Sequence, residues 1–106
     1  MIMSDGEMQC GSTWESALIA AHHKLDNLVV IIDHNKFQAM GKTEDILFVS
    51  LREPFNSGGW MVDVMDGHSH KVLDGYIFDV ISDRDLKCPT AIVACTIKGK
   101  GVSFME

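Results

Sequence analysis

The sequence is short of several things, and each shortage narrows its class. It has only two prolines, Pro54 and Pro89, and no low-complexity or Pro/Gly/Ser-rich tract. Nothing divides the chain, so residues 1–106 read as one continuous domain. Its three cysteines, Cys10, Cys88 and Cys95, are an odd number without CxxC spacing. That argues against a disulfide framework or a zinc knuckle and fits a reducing, cytoplasmic setting. No apolar run approaches the roughly 20 residues that cross a bilayer, and the first residues lack the pattern of a signal peptide. Basic residues are few and scattered: nine Lys and Arg stand against fifteen Asp and Glu, for a net charge of -6. With no basic stripe to neutralise phosphates, neither nucleic acid nor a membrane is an expected partner.

What is present is a 46% apolar chain, enough for one small core. Met1 to Met3 look like the tail of an apolar strand ending at Ser4-Asp5-Gly6. Ser12-Thr13-Trp14-Glu15 has the form of a capping box, so a helix is predicted from there. Its stripe of Trp14, Ala17, Leu18, Ala21 and Leu25 recurs at intervals of three and four and is rich in alanine. Leu28 to Ile32 is a continuous, mostly β-branched run, as expected of a central parallel strand covered on both faces. A polar stretch and an irregular segment follow, then a short helix-like stretch over 45–53 that Pro54 should end. Trp60 to Met65 reads as a third strand, and His68 to Ile81 as a second helix despite Gly75. Thr90 to Thr96 reads as a fourth strand. Strands alternating with helical connections predict an α/β fold, a mostly parallel sheet flanked by helices.

In such sheets ligands bind outside the carboxyl ends of the strands. Asp5-Gly6 follows the first strand and Asn35 the second, thirty residues later, so a βαβ unit should bring the two ends together. One carboxylate and one amide oxygen form a low-charge oxygen set of the kind magnesium takes when phosphate oxygens complete its shell. Gly6, lacking a Cβ, lets the backbone N–H approach a phosphate. Taken alone, an Asp-Gly pair is most simply a turn.

The run SDGEMQCGSTWESALIAAHHKLDNLVVIIDHNKFQ resembles the thiamine diphosphate motif of transketolases, which opens with Gly-Asp-Gly and closes near an Asn roughly thirty residues on. GWMVDVMDGHSHKVL and TIKGKGVSFME are similar to later segments of the same family, closest to its split bacterial N-terminal subunits. The resemblance implies a partial thiamine diphosphate-binding fold, with thiamine diphosphate and Mg2+ as cofactors. It implies that Asp5 and the Asn35 side chain ligate the metal, with the Phe37 carbonyl as third ligand. Gly6 and Glu7 would lie against the diphosphate, and Lys98, within Lys98-Gly99-Lys100-Gly101, near the active-site entrance. The activity implied is transfer of two-carbon ketol units between sugar phosphates. The partner implied is a pyrimidine-binding transketolase domain or subunit in an oligomer, since that domain supplies the glutamate that activates the cofactor. The chain is therefore expected to be inactive alone, as a subunit, a fragment or a non-catalytic remnant with an oligomerisation or regulatory role. The dehydrogenase first components and 1-deoxyxylulose 5-phosphate synthase are other members of the wider class, but NKFQAMGKTED looks more like transketolase.

Two positions depart from the pattern. Ser4 replaces the first glycine of the triplet, a mild change where the dihedrals are ordinary. Cys10 stands where relatives carry an acid that shares hydrogen bonds across the subunit interface. Simpler roles suffice elsewhere. His22 and His23 suit the end of a helix, and His34 beside Asn35 is free to face solvent. Asp66-Gly67-His68 reads as a turn, with His70 following it. Trp14, Met40, Met61 and Met65 read as core or interface filling, and Cys88 and Cys95 as buried, inert thiols.

Overall fold

The computed structural model describes residues 1–83 and 85–106. In chain order they form β1 (Ile2–Ser4), a 3-10 turn (Asp5–Gln9), α1 (Gly11–His22), β2 (Val29–His34), the short strands β3 (Phe37–Gln38) and β4 (Gly41–Lys42), α2 (Thr43–Ile46), α3 (Glu53–Ser57), β5 (Met61–Asp66), α4 (His70–Ser82) and β6 (Thr90–Cys95). The main sheet has the order β1-β2-β6-β5 and every pairing in it is parallel. The predicted α/β architecture is therefore the observed one. The β1-to-β2 and β5-to-β6 crossovers run in opposite directions across the sheet, so right-handed connections place α1 and α4 on opposite faces.

The core lies on the α1 face. Val30 and Ile32 of β2, Ala91 and Val93 of β6 and Val62 of β5 pack there against Ala17, Ala20, Met8, Phe55 and Trp60. The Trp60 indole, buried at the start of β5, donates to the Ala17 carbonyl at 2.9 Å, and its ring stacks edge-on with Phe55. That bond joins the head of β5 to the middle of α1, and small side chains let the helix come close. On the other face, Val80 of α4 is buried and the Tyr76 hydroxyl donates to Asp63 of β5 at 2.5 Å.

Several local expectations need correction. The capping box is not at Ser12. The chain is already helical before it, and Glu7 reaches back instead to accept from the Ser4 N–H at 2.7 Å and its hydroxyl at 3.1 Å. Of the expected α1 stripe only Ala17 is fully buried, joined by Ala20, while Leu18 is 62% exposed and Leu25 is also exposed. β2 is central, yet Val29 and Ile31 on its second face are only half-buried. Residues 45–53 do not form one helix. Thr43–Ile46 and Glu53–Ser57 form two, and Pro54 sits in the first turn of the second, where its missing N–H costs nothing. The segment after Asn35, expected to be irregular, folds as the antiparallel β3-β4 pair. Met40 is exposed, not core, and Cys88 and Cys95 are half-buried.

Replacing Trp60 with Phe removes the indole bond and part of the core ring, and urea denaturation should show a loss of about 2 kcal/mol. Tyr76 gives a pH signature. Burial, then the Asp63 carboxylate, holds its phenol well above the usual range. A pKa raised in the folded state stabilises fully below about pH 10, the unfolded value, and that stabilisation is lost as pH rises beyond it. Tyr76 is the only tyrosine, so phenolate absorbance should be absent near pH 10 while the fold holds. Tyr76→Phe should flatten the alkaline loss of stability.

Candidate functional site

The parallel register sets the carboxyl ends of the strands along one edge. Ser4 pairs with Asp33, while His34 and Asp66 both pair with Cys95. Asp5, the residue after β1, therefore faces the turn that leaves β2. Its carboxylate is 1% exposed. Oδ2 accepts from the Lys36 N–H at 2.8 Å and lies 3.3 Å from His34 Nδ1. His34 thus turns toward the aspartate, not simply to solvent. Oδ1 of Asp5 is buried and has no hydrogen-bond partner among the described residues. A buried carboxylate oxygen left unpaired is costly, and such exceptions concentrate where an ion or ligand completes the shell.

The β2 turn is built for this contact. Asn35 Oδ1 accepts from the Phe37 N–H at 2.9 Å, an Asx turn, and Lys36 between them takes a positive φ of 67°. A lysine rarely adopts that conformation, which costs about 1–3 kcal/mol and is held only where the surroundings demand it. Here Asp5 takes the Lys36 N–H, and the Thr43 N–H donates to the Lys36 carbonyl at 2.9 Å. Asn35 Nδ2 in turn donates to Asp33 Oδ2 at 3.2 Å. Asp33 Oδ1 accepts the Thr96 hydroxyl, from the residue just after β6.

The other sequence candidates gather around this turn. Gly6 lies under Gln38 of β3, whose Oε1 would be 3.0 Å from a Cβ at that position. Lys98 reaches over the Phe37 ring, with Nζ 5.9 Å from its centroid, so the Lys98–Gly101 segment stands beside the Asn35 turn. Glu7 is also close in sequence, but its carboxylate is occupied by Ser4. Ser4 itself has φ -92° and ψ 159°, ordinary extended values that need no glycine. His68 is structural: its Nε2 accepts from the Ile97 N–H at 2.9 Å and so anchors the start of the Lys98 segment. Gly67 must be glycine, because a Cβ there would meet Thr96 Cγ2 at 2.6 Å.

A cavity of about 180 Å³ opens beside the buried carboxylate, lined by Asp5, His34, Lys36, Thr43 and Glu44 among others. Among the described residues no three His, Cys, Asp or Glu side chains converge to hold a metal. The unpartnered Asp5 Oδ1 is thus an oxygen donor at this corner, of the type that hard cations take when phosphate oxygens and water complete the shell. Sequence reasoning missed Asp33, Lys36 and Thr96. Only the proximity of Asp33 to Asn35 along the chain could have pointed to one of them.

Comparison with known proteins gives the family and the fold. A family model described as the thiamine diphosphate binding domain of transketolase matches residues 1–106. An apulose-4-phosphate transketolase subunit of Phocaeicola vulgatus is 38% identical over 107 residues, covering 100% of this chain and 37% of that protein. A 6-deoxy-6-sulfo-D-fructose transketolase subunit of a Clostridium species is 36% identical over 106 residues, covering 99% of this chain and 38% of that protein. Transketolase from Campylobacter jejuni superposes with a TM-score of 0.81 at 25% identity, over 90% of this chain and 15% of that one. Transketolase from Pichia stipitis, solved with sedoheptulose 7-phosphate, shares the fold at a TM-score of 0.81 and 24% identity, over 90% of this chain and 14% of that one. The chain thus spans well under half the length of the relatives it matches. With its whole length matched by the model, it belongs to the family of transketolase thiamine diphosphate-binding domains.

Proposed function

We propose that this chain provides the metal and diphosphate corner of a transketolase-type site, acting with a pyrimidine-binding domain or subunit to transfer two-carbon ketol units between sugar phosphates. The observation that carries the reading is the buried Asp5 carboxylate, with one oxygen fixed by Lys36 and the other unpaired. Asp5 Oδ1, Asn35 Oδ1 and the Phe37 carbonyl would hold Mg2+. Gly6 brings its main chain close to the diphosphate, and Glu7, whose carboxylate is turned onto Ser4, offers its backbone there. Thiamine diphosphate, when bound, supplies the carbanion chemistry that cleaves and forms the ketol bond. The protein's part at this corner is to fix the cofactor's charged end.

Lys98, stacked on Phe37 near the same turn, supplies a cation for the anionic end of a sugar. The relatives named for apulose 4-phosphate and 6-deoxy-6-sulfofructose act on ketoses that each carry such an anion, a phosphate or a sulfonate. A ketose ending in an anion is accordingly the substrate class proposed. Both relatives are named as subunits, which supports a separate pyrimidine-binding partner. Exposed Leu18 and Ile19 on α1, Phe78 and Ile81 on α4 and the open edge of β1 give an oligomer apolar surface to cover. No helix among the described residues is long and apolar enough to cross a membrane, and a cytoplasmic location is proposed with the rest.

Asp5→Asn separates ligation from folding. The amide oxygen can still accept from Lys36, while a buried charge is removed, so the metal-free Asp5→Asn variant should melt at or above the parent temperature. Calorimetry should nonetheless show Mg2+-dependent thiamine diphosphate binding weakened at least about tenfold. Undiminished binding by that variant, in the presence of a pyrimidine-binding partner, would sink the proposal. Sedimentation at high protein concentration should show association; a clean monomer would count against the oligomer.

A further inference from the structure

We propose that Asp33 is a positioning residue that orients the Asn35 amide for metal binding. The inference rests on the reading of Asn35 as a ligand and adds how that ligand is aimed. An asparagine side chain has two ends of nearly equal size, and only the oxygen end can meet a cation. What selects the end is the pair of groups facing it. Asp33 Oδ2 accepts from Asn35 Nδ2 at 3.2 Å, and an ionised carboxylate can only accept, so it admits the NH2 end alone. The Phe37 N–H, at 2.9 Å from Asn35 Oδ1, can only donate and admits the oxygen end alone. Together they fix the amide in one orientation. The oxygen keeps one lone pair beyond the Phe37 bond, free for an ion.

Asp33 is itself held. Its Oδ1 accepts the Thr96 hydroxyl from the end of β6, and the Thr96 N–H donates to the His34 carbonyl at 3.1 Å. The contact therefore reaches Asn35 from a different strand, which a local turn alone does not require. Outer hydrogen bonds of this kind commonly set the aim and basicity of metal ligands. Asp33 is bonded to the nitrogen of Asn35, so its role is exerted through the amide.

The test uses the full chain together with a pyrimidine-binding partner, thiamine diphosphate and Mn2+ as the paramagnetic probe, binding being read from water-proton relaxation. Asn35→Ala should weaken Mn2+ binding at least as much as any Asp33 variant, with the residual affinity read at raised Mn2+ concentration. Asp33→Ala should weaken Mn2+ binding about tenfold or more. Asp33→Asn should restore it to within about threefold of the parent. Its carbonyl can accept from Asn35 while its NH2 donates to the Thr96 oxygen, which a hydroxyl permits. In the double variant Asp33→Ala/Asn35→Ala, Asp33→Ala should add no further loss, since its effect runs through the amide. Melting of the metal-free variants supplies a structural control, and Thr96→Val gives a second route if Asp33→Ala does not fold, with an intermediate loss expected. Parental binding in Asp33→Ala, or equal losses in Asp33→Ala and Asp33→Asn, would overturn the positioning role, the latter by making charge the cause. Parental binding in Asn35→Ala would instead overturn the ligand reading on which the inference rests.

Discussion

The bond from the Lys36 N–H to the buried Asp5 carboxylate is the constraint on which this corner of the molecule depends. It ties the end of β1 to the turn after β2 and holds Lys36 in a conformation that a lysine avoids on its own. With Lys36 so placed, Asn35 and Phe37 close an Asx turn, and the β3-β4 pair starts in register. The same bond uses one oxygen of Asp5 and leaves the other buried and without a partner among the described residues. A fold that only needed a turn here would be better served by a neutral side chain. Keeping a buried charge half-satisfied is the pattern expected where binding, not stability, sets the residue.

A second layer of bonds steadies the first from the neighbouring strand. Thr96 follows β6 and meets Asp33, and the absence of a side chain at Gly67 lets the end of β5 lie close to Thr96. His68 accepts from the Ile97 N–H and thereby sets where Lys98 begins its reach toward Phe37. Strands β1, β2, β6 and β5 all contribute through their carboxyl ends, as parallel pairing requires. The glycine-to-serine change at position 4 is absorbed in this setting. Ser4 has extended dihedrals, and its N–H and hydroxyl both engage Glu7. Cys10, which stands at the start of α1, is exposed and makes no side-chain cap, so the structure gives it no local task.

The apolar surface is divided unevenly. One face of the sheet has a continuous core under α1, whereas α4 buries only Val80 and leaves Phe78 68% exposed. Leu18 and Ile19 are likewise left outside the core that Ala17 and Ala20 enter. Periodicity marked α1 and α4 as helices correctly, and within the α1 stripe it was right for Trp14, Ala17 and Ala21, which face the core, and wrong for Leu18 and Leu25, which do not. A helix is buried where other elements reach it, and here small residues beside the Trp60 indole decided the contact.

The sequence by itself determined the alternation of strands and helices, because continuous β-branched runs and intervals of three and four are local physical preferences. It also determined the family, and with it Asp5, Gly6 and Asn35 as the residues to examine. It did not determine the 3-10 turn at Asp5–Gln9, the positive φ of Lys36 or the bonds from Asp33 to Asn35 and Thr96. Those follow from strand order and register. Thr96 lies sixty-three residues from Asp33 along the chain and touches it only because β6 pairs beside β2. Which carboxylate oxygen is left unpaired, and which end of an amide faces outward, are decided by neighbours brought together across the sheet. Only the tertiary structure supplies them.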